Sequence, residues 1–206
     1  HEHIGLAVKE NGNDLLVLGV QGRTNLLYGL VGSTVERVVK DGPCPVLAVP
    51  DLHGDVDQAS AEIPQVPIQQ ILAPVDFSSP SLDAVEYAIQ MANDLGAKVT
   101  LMHVLEPVCY DLDCGLGMIE QETRKRDHWT RQLTELKDLV TSFGLPADYE
   151  ISGGIPSDAI LAGALRHRSD LIVMGTHGRR GVSQRRFGSV AEAVLRRATS
   201  PVLTVK

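Results

Sequence analysis

Short blocks of branched aliphatic residues recur along the chain, separated by longer stretches of mixed polarity. Leu15 to Leu18, Pro45 to Val49, Gln70 to Asp76, Val99 to Val104, Tyr149 to Ile151, Leu171 to Met174 and Val202 to Val205 are too short for helices, and most are continuously apolar, the pattern of strands buried on both faces. Between them, apolar positions fall at helical spacing. Leu82, Val85, Ile89 and Ala92 share one face of a segment opened by Ser78-Ser79-Pro80 and stopped by Gly96. Trp129, Leu133, Leu136, Val140 and Phe143 form the apolar stripe of a helix predicted from about Ile119 to Phe143, a core stripe rather than a cofactor contact. Further helices are predicted over Ile4 to Glu10, Ser33 to Lys40, Pro156 to Arg166 and Val190 to Arg197. Strands alternating with helices imply right-handed crossovers and a parallel sheet covered on both faces. In such sheets ligands bind beyond the carboxyl ends of the strands, where the strand order reverses. A strand at Gln70 lying beside the strand at Leu171 would put Asp76 and the Met174-Gly175 turn on either side of one crevice.

The stretch from Met174 to Ser189 joins a predicted strand to a predicted helix and is rich in glycine. Gly175 and Gly178 lack a Cβ, so backbone N–H groups can turn toward an anion, and Gly188-Ser189 opens a helix whose N-terminal donors favour phosphate. That is the chemistry of a polyphosphate cradle. Two other readings of the same residues stand beside it: Ser189 with Glu192 matches a capping box, and Asp76 either accepts from a ligand or caps the helix that follows it. Arg179, Arg180, Arg185 and Arg186 either neutralise phosphate or form a solvated basic face.

The cradle occurs twice. Gly19-x2-Gly22, nine residues and Gly32-Ser33 reproduce Gly175-x2-Gly178, nine residues and Gly188-Ser189, at a constant offset of 156 residues and with no gap. The same offset pairs Asp14 with Asp170, Glu36 with Glu192, and Pro45-Val46-Leu47 with Pro201-Val202-Leu203. A repeat this long marks duplicated domains, not a solenoid. The expected organisation is the C-terminal portion of a first domain over 1–50, a linker over 51–67 and a complete domain over 68–206. On that reading about 86 residues of the first copy lie outside the sequence.

Pro74-Val75-Asp76-Phe77-Ser78, His103-Val104, Gly175-Thr176-His177-Gly178 with its spacing to Gly188-Ser189, and Pro201-Val202-Leu203 together resemble the universal stress protein family, in its nucleotide-binding branch and tandem arrangement. The resemblance implies a five-stranded parallel, doubly wound α/β sheet in the order 3-2-1-4-5, with ATP in the crevice. It implies that Pro74, Asp76 and Val104 contact the adenine and ribose end, and that Met174 lines the adenine pocket. Gly175, Thr176, Gly178, Gly188, Ser189 and Val190 would hold the phosphates. ADP and AMP are alternatives to ATP, and Mg2+ is a companion ion. In the first copy Gly19, Gly22, Gly32 and Ser33 would form only an incomplete second site, and Gln21 stands where the second copy has His177.

Composition narrows the function further. A net charge of −7 over 206 residues argues against binding nucleic acid or anionic membrane, and no apolar run is long enough to span a bilayer. Three cysteines fit a reducing compartment, so a cytoplasmic protein is expected. Cys109-x4-Cys114, with Asp111, Asp113, His103 and His128 nearby, matches no common zinc spacing, and Ser152-Gly153-Gly154 reads as a turn. No Walker lysine, metal-binding acid or positioned base is identifiable, which favours a binding or switch protein over an enzyme. A slow ATPase or autophosphorylating protein and a dimeric scaffold without nucleotide are the alternatives. The edge-like final strands, Pro45 to Val49 and Pro201 to Val205, are expected to pair either within the chain as a pseudo-dimer or between chains as a homodimer.

Overall fold

The computed structural model describes residues 2–20, 33–50, 67–106, 115–178 and 188–206. Seven strands and six helices alternate: α1 (Glu2–Asn11), β1 (Leu16–Gly19), α2 (Ser33–Asp41), β2 (Val46–Val49), β3 (Gln70–Pro74), α3 (Ser79–Leu95), β4 (Lys98–Leu105), α4 (Gly115–Ser142), β5 (Ala147–Gly153), α5 (Pro156–Arg166), β6 (Leu171–Gly175), α6 (Ser189–Arg197) and β7 (Val202–Val205). The predicted elements are all present, with ends shifted by a few residues. The largest differences are β5, which extends two residues beyond its expected span at each end, and α4, which begins at Gly115.

All seven strands form a single sheet in the order β1-β2-β7-β6-β3-β4-β5. This corrects the expectation of a five-stranded, wholly parallel sheet. The last five strands pair in parallel, but β2 joins β7 antiparallel and brings β1 with it. The reason lies in the repeat itself. β2 and β7 carry equivalent sequences and equivalent free edges, and two identical edges can pair about a twofold axis only when they run in opposite directions. The register places Leu47 opposite Leu203, residues that the 156-residue offset also makes equivalent, so a pseudo-twofold axis passes through that pair. The junction is further tied by the buried Thr204 hydroxyl, which donates to the Val46 carbonyl (3.2 Å). Beside it, Arg196 of α6 pairs with Glu36 of α2 and with Glu192 at 2.9 Å.

The helices cover the two faces unequally. α1, α2, α5 and α6 close one face over a core that includes Val39, Val46, Leu72, Met102, Ile172 and Val194. α3 and α4 close the other over Ile71, Val99, Leu101, Leu133, Leu171 and Leu203. The predicted stripe contributes Leu133 and Val140, both fully buried, whereas Phe143, just beyond the end of α4, is exposed. Among the described residues no helix is long and apolar enough to cross a membrane.

Because Leu203 is fully buried and sits on the pseudo-twofold axis, its truncation removes contacts from both halves. Leu203→Ala should lower the unfolding free energy by about 2–5 kcal/mol in urea denaturation, the range for an aliphatic core residue cut back to Ala.

Candidate functional site

The crevice originates in a proline. Strand β3 is central, with β4 on one side and β6 on the other. Along β3 the even-numbered residues turn their hydrogen-bonding groups toward β6: the Gln70 N–H meets Asp170 Oδ2 at 2.9 Å and its carbonyl accepts from the Asp170 N–H. The odd-numbered residues turn theirs toward β4, as Val75 N–H does to the Met102 carbonyl (2.8 Å). The next even-numbered donor after Leu72 would belong to Pro74, which has none. The β3–β6 ladder accordingly ends at Leu72 opposite Ile172, whereas β3 stays registered with β4 to Pro74 opposite Met102, and β6 with β7 to Gly175 opposite Val205. The two central strands lose their pairing toward their carboxyl ends, at the point where the strand order reverses.

Asp76 stands on one wall. Its Oδ1 accepts from the Ser78 N–H (3.0 Å) and Ser78 Oγ (2.5 Å), and its own N–H donates to Ser81 Oγ at 3.3 Å. The N-cap of α3 is Ser78, so Asp76 is not the cap: it braces the turn one step earlier. The opposite wall is the turn after β6. A Cβ on Gly178 would lie 2.7 Å from Asp76 Oδ2, so the second carboxylate oxygen sits directly against the glycine backbone. A Cβ on Gly175 would lie 2.7 Å from the Pro80 carbonyl oxygen, because the first turn of α3 rests on β6. Gly188 completes the fold of the loop, its N–H donating to the Thr176 carbonyl (2.8 Å) with its Cβ position 2.9 Å from that oxygen. Thr176 is buried, its N–H bonds the Val205 carbonyl, and its hydroxyl lies 2.9 Å from His177 Nδ1.

The structure thus brings together Pro74, Asp76, Gly175, Thr176, Gly178 and Gly188. Ser189 is exposed at the start of α6, and Val190 is half-buried against the core. Met174 and Val104 are in the core on the α5–α6 face of the sheet. Ser189 does not act as a capping box: the N-cap is Gly188, no side chain caps it, and Glu192 engages Arg196 instead. Once the helix begins at Ser189, that residue is one position too late for its hydroxyl to reach back as a cap.

Phe77, which follows Asp76, has φ 62, a left-handed conformation that costs a bulky residue about 1–3 kcal/mol. Its ring stacks on Trp129 of α4 with centroids 5.2 Å apart and 22° between planes. Trp129 in turn packs on His103 at 4.4 Å, and His103 Nδ1 lies 2.7 Å from the Val75 carbonyl oxygen. These aromatic contacts were not anticipated from sequence, nor was the contact of Pro80 with Gly175. The run Phe77-Ser78-Ser79-Pro80 after a strand is their only local signal.

The first copy differs at its equivalent loop. Among the described residues a Cβ on Gly19 would have nothing within 4 Å, where Gly175 is closed by α3. Gly22 and Gly32 lie outside the described residues, as do the side chain of Ser33, the four loop arginines, and Cys109, Asp111, Asp113 and Cys114. Among the described residues no group of His, Cys, Asp and Glu could hold a metal ion.

The contrast between the two glycines is measurable. Gly175→Ala must push α3 from β6 against backbone atoms and should cost about 1–3 kcal/mol in urea unfolding. Gly19→Ala meets nothing among the described residues and should stay within about 0.5 kcal/mol of the parent.

Comparison with known proteins places this geometry in a family. The model of the universal stress protein family matches residues 2–50 and 67–206. The universal stress protein MJ0531 of Methanocaldococcus jannaschii is 31% identical over 144 residues, covering 67% of this chain and 82% of that protein. The crystal structure of a universal stress protein from Archaeoglobus fulgidus is similar over 97% of this chain with a TM-score of 0.69 at 25% identity, and this chain spans 65% of that longer one. A universal stress protein crystallised in complex with cAMP is similar over 68% of this chain and 99% of its own length, with a TM-score of 0.54 and 28% identity. The chain belongs to the universal stress protein family.

Proposed function

We propose that the chain binds an adenine nucleotide, ATP by preference, in the crevice between β3 and β6, and that occupancy acts as a regulatory signal in a stress response. Universal stress proteins are generally not enzymes, and binding rather than turnover is the role assigned here. The observation that carries the reading is the placement of Asp76 Oδ2 against the Gly178 backbone at the mouth of strands that have stopped pairing. A carboxylate there accepts from ribose hydroxyls or an amino group, while glycine backbone and the start of α6 present N–H donors to phosphate. The cradle fits such a ligand because it is built from positions where a Cβ would intrude, at Gly178 and Gly188. A similar protein crystallised with cAMP supports the adenine class.

In this reading Pro74, Asp76, Val104 and Met174 serve the adenine and ribose end. Gly175, Thr176, Gly178, Gly188, Ser189 and Val190 serve the phosphates, with Mg2+ as a companion ion of the triphosphate. The domains are a partial copy over 1–50, a linker over 51–67 and a complete copy over 68–206. Gly19, Gly22, Gly32 and Ser33 are assigned to an incomplete second site.

Isothermal titration with ATP should give a stoichiometry near one per chain, and a value near two or an absence of binding would contradict the assignment. Asp76→Ala should weaken binding roughly tenfold or more, the cost of losing a charged hydrogen-bond acceptor.

A further inference from the structure

We propose that Trp129 is a positioning residue of the crevice, holding the Asp76 carboxylate in place by clamping both of that residue's chain neighbours. The circuit is closed and every link is geometric. Val75, before Asp76, offers its carbonyl oxygen to His103 Nδ1 at 2.7 Å. A carbonyl only accepts, so Nδ1 carries the hydrogen and the ring orientation is fixed. His103 is buried and packs against Trp129 with centroids 4.4 Å apart. Trp129 stacks on Phe77, the residue after Asp76, at 5.2 Å. The indole of α4 therefore touches the two groups that fix the backbone on either side of Asp76.

The backbone needs that support. Phe77 adopts φ 62, a conformation its side chain disfavours, and it is this reversal that folds Ser78 back so that its N–H and Oγ meet Asp76 Oδ1. With Oδ1 held, Oδ2 faces Gly178. Were Phe77 free to relax toward negative φ, the Ser78 donors would swing away and the carboxylate would lose its orientation. The stacked indole is the contact that opposes this relaxation. Trp129 thus lies one shell behind the site, acting through Phe77 and His103 and not on the ligand.

This inference rests on the adenine-nucleotide reading for its functional meaning, but its structural content is testable without ligand. Amide hydrogen exchange by NMR at Asp76 and Ser78 should quicken about tenfold in Trp129→Leu, while the Ile172 amide of β6 and the Thr176 amide just after it keep their protection. Trp129→Phe, which preserves a stacking ring, should restore slow exchange. In parallel, ATP affinity should fall about tenfold in Trp129→Leu and recover in Trp129→Phe. Unchanged exchange in Trp129→Leu would overturn the clamp whether or not ATP binds. If the parent protein binds no nucleotide, the ligand assignment alone fails and exchange decides the clamp. Should Trp129→Leu not fold, Phe77→Ala carries the same test: alanine still disfavours positive φ but has no ring to hold it there. Fast exchange at Ser78 in that variant supports the clamp, and parental exchange overturns it.

Discussion

A single missing hydrogen bond sets the architecture of the crevice. Pro74 cannot donate toward β6, so the central ladder stops at Leu72 and Ile172 while the flanking ladders continue. On their outer sides both strands stay bonded past this point, Val75 to β4 and Thr176 to β7. Each central strand is held from its outer side at the level where the inner pairing has ended. The turn after β3 and the turn after β6 can then approach each other through side chain and glycine, which is how Asp76 comes to face Gly178.

The duplicated sequence produces two unlike halves. The equivalence of Leu47 and Leu203 across the antiparallel junction shows that the second strand pair added to the sheet is a symmetry mate of β6 and β7. Gly175 has the α3 backbone against it, and among the described residues nothing lies within 4 Å of a Cβ on Gly19. A glycine loop is the phosphate half of a site, and a first strand ending in an acid is the other half. Among the described residues these two halves meet at Asp76 and Gly178.

Much of this was legible before any coordinates. The alternation of apolar blocks and amphipathic stretches located every strand and helix, because burial on both faces of a parallel sheet imposes a signal that is local in sequence. The 156-residue offset exposed the duplication. The joining of the two copies into one mixed sheet was left open, because edge pairing is a contact between distant segments with no local signature beyond a free apolar strand. The capping-box alternative at Ser189 fails for a different reason: Ser-x-x-Glu is satisfied equally by a serine at the cap and by a serine one step inside the helix, and here Gly188 takes the cap. Trp129 was legible as an apolar position of a helix but not as a partner of Phe77, since spacing along α4 says which face is buried and nothing about what meets it.

The aromatic circuit explains why that part of the core is not simply aliphatic. A leucine at position 129 would keep the site apolar, yet it offers no flat surface to the Phe77 ring or to the tilted ring of His103. Flat rings with stacked geometry restrain orientation as well as distance, whereas aliphatic packing tolerates rotation. The restraint is located where the backbone is least comfortable, at φ 62 on Phe77. Local strain persists only where surrounding contacts over-determine it, and Trp129, His103 and the Ser78 bonds to Asp76 supply three independent restraints on a turn of four residues. The carboxylate orientation is thus a property of the packing between β4, α4 and the β3–α3 turn, established before any ligand arrives, which is what preorganisation of a binding site requires.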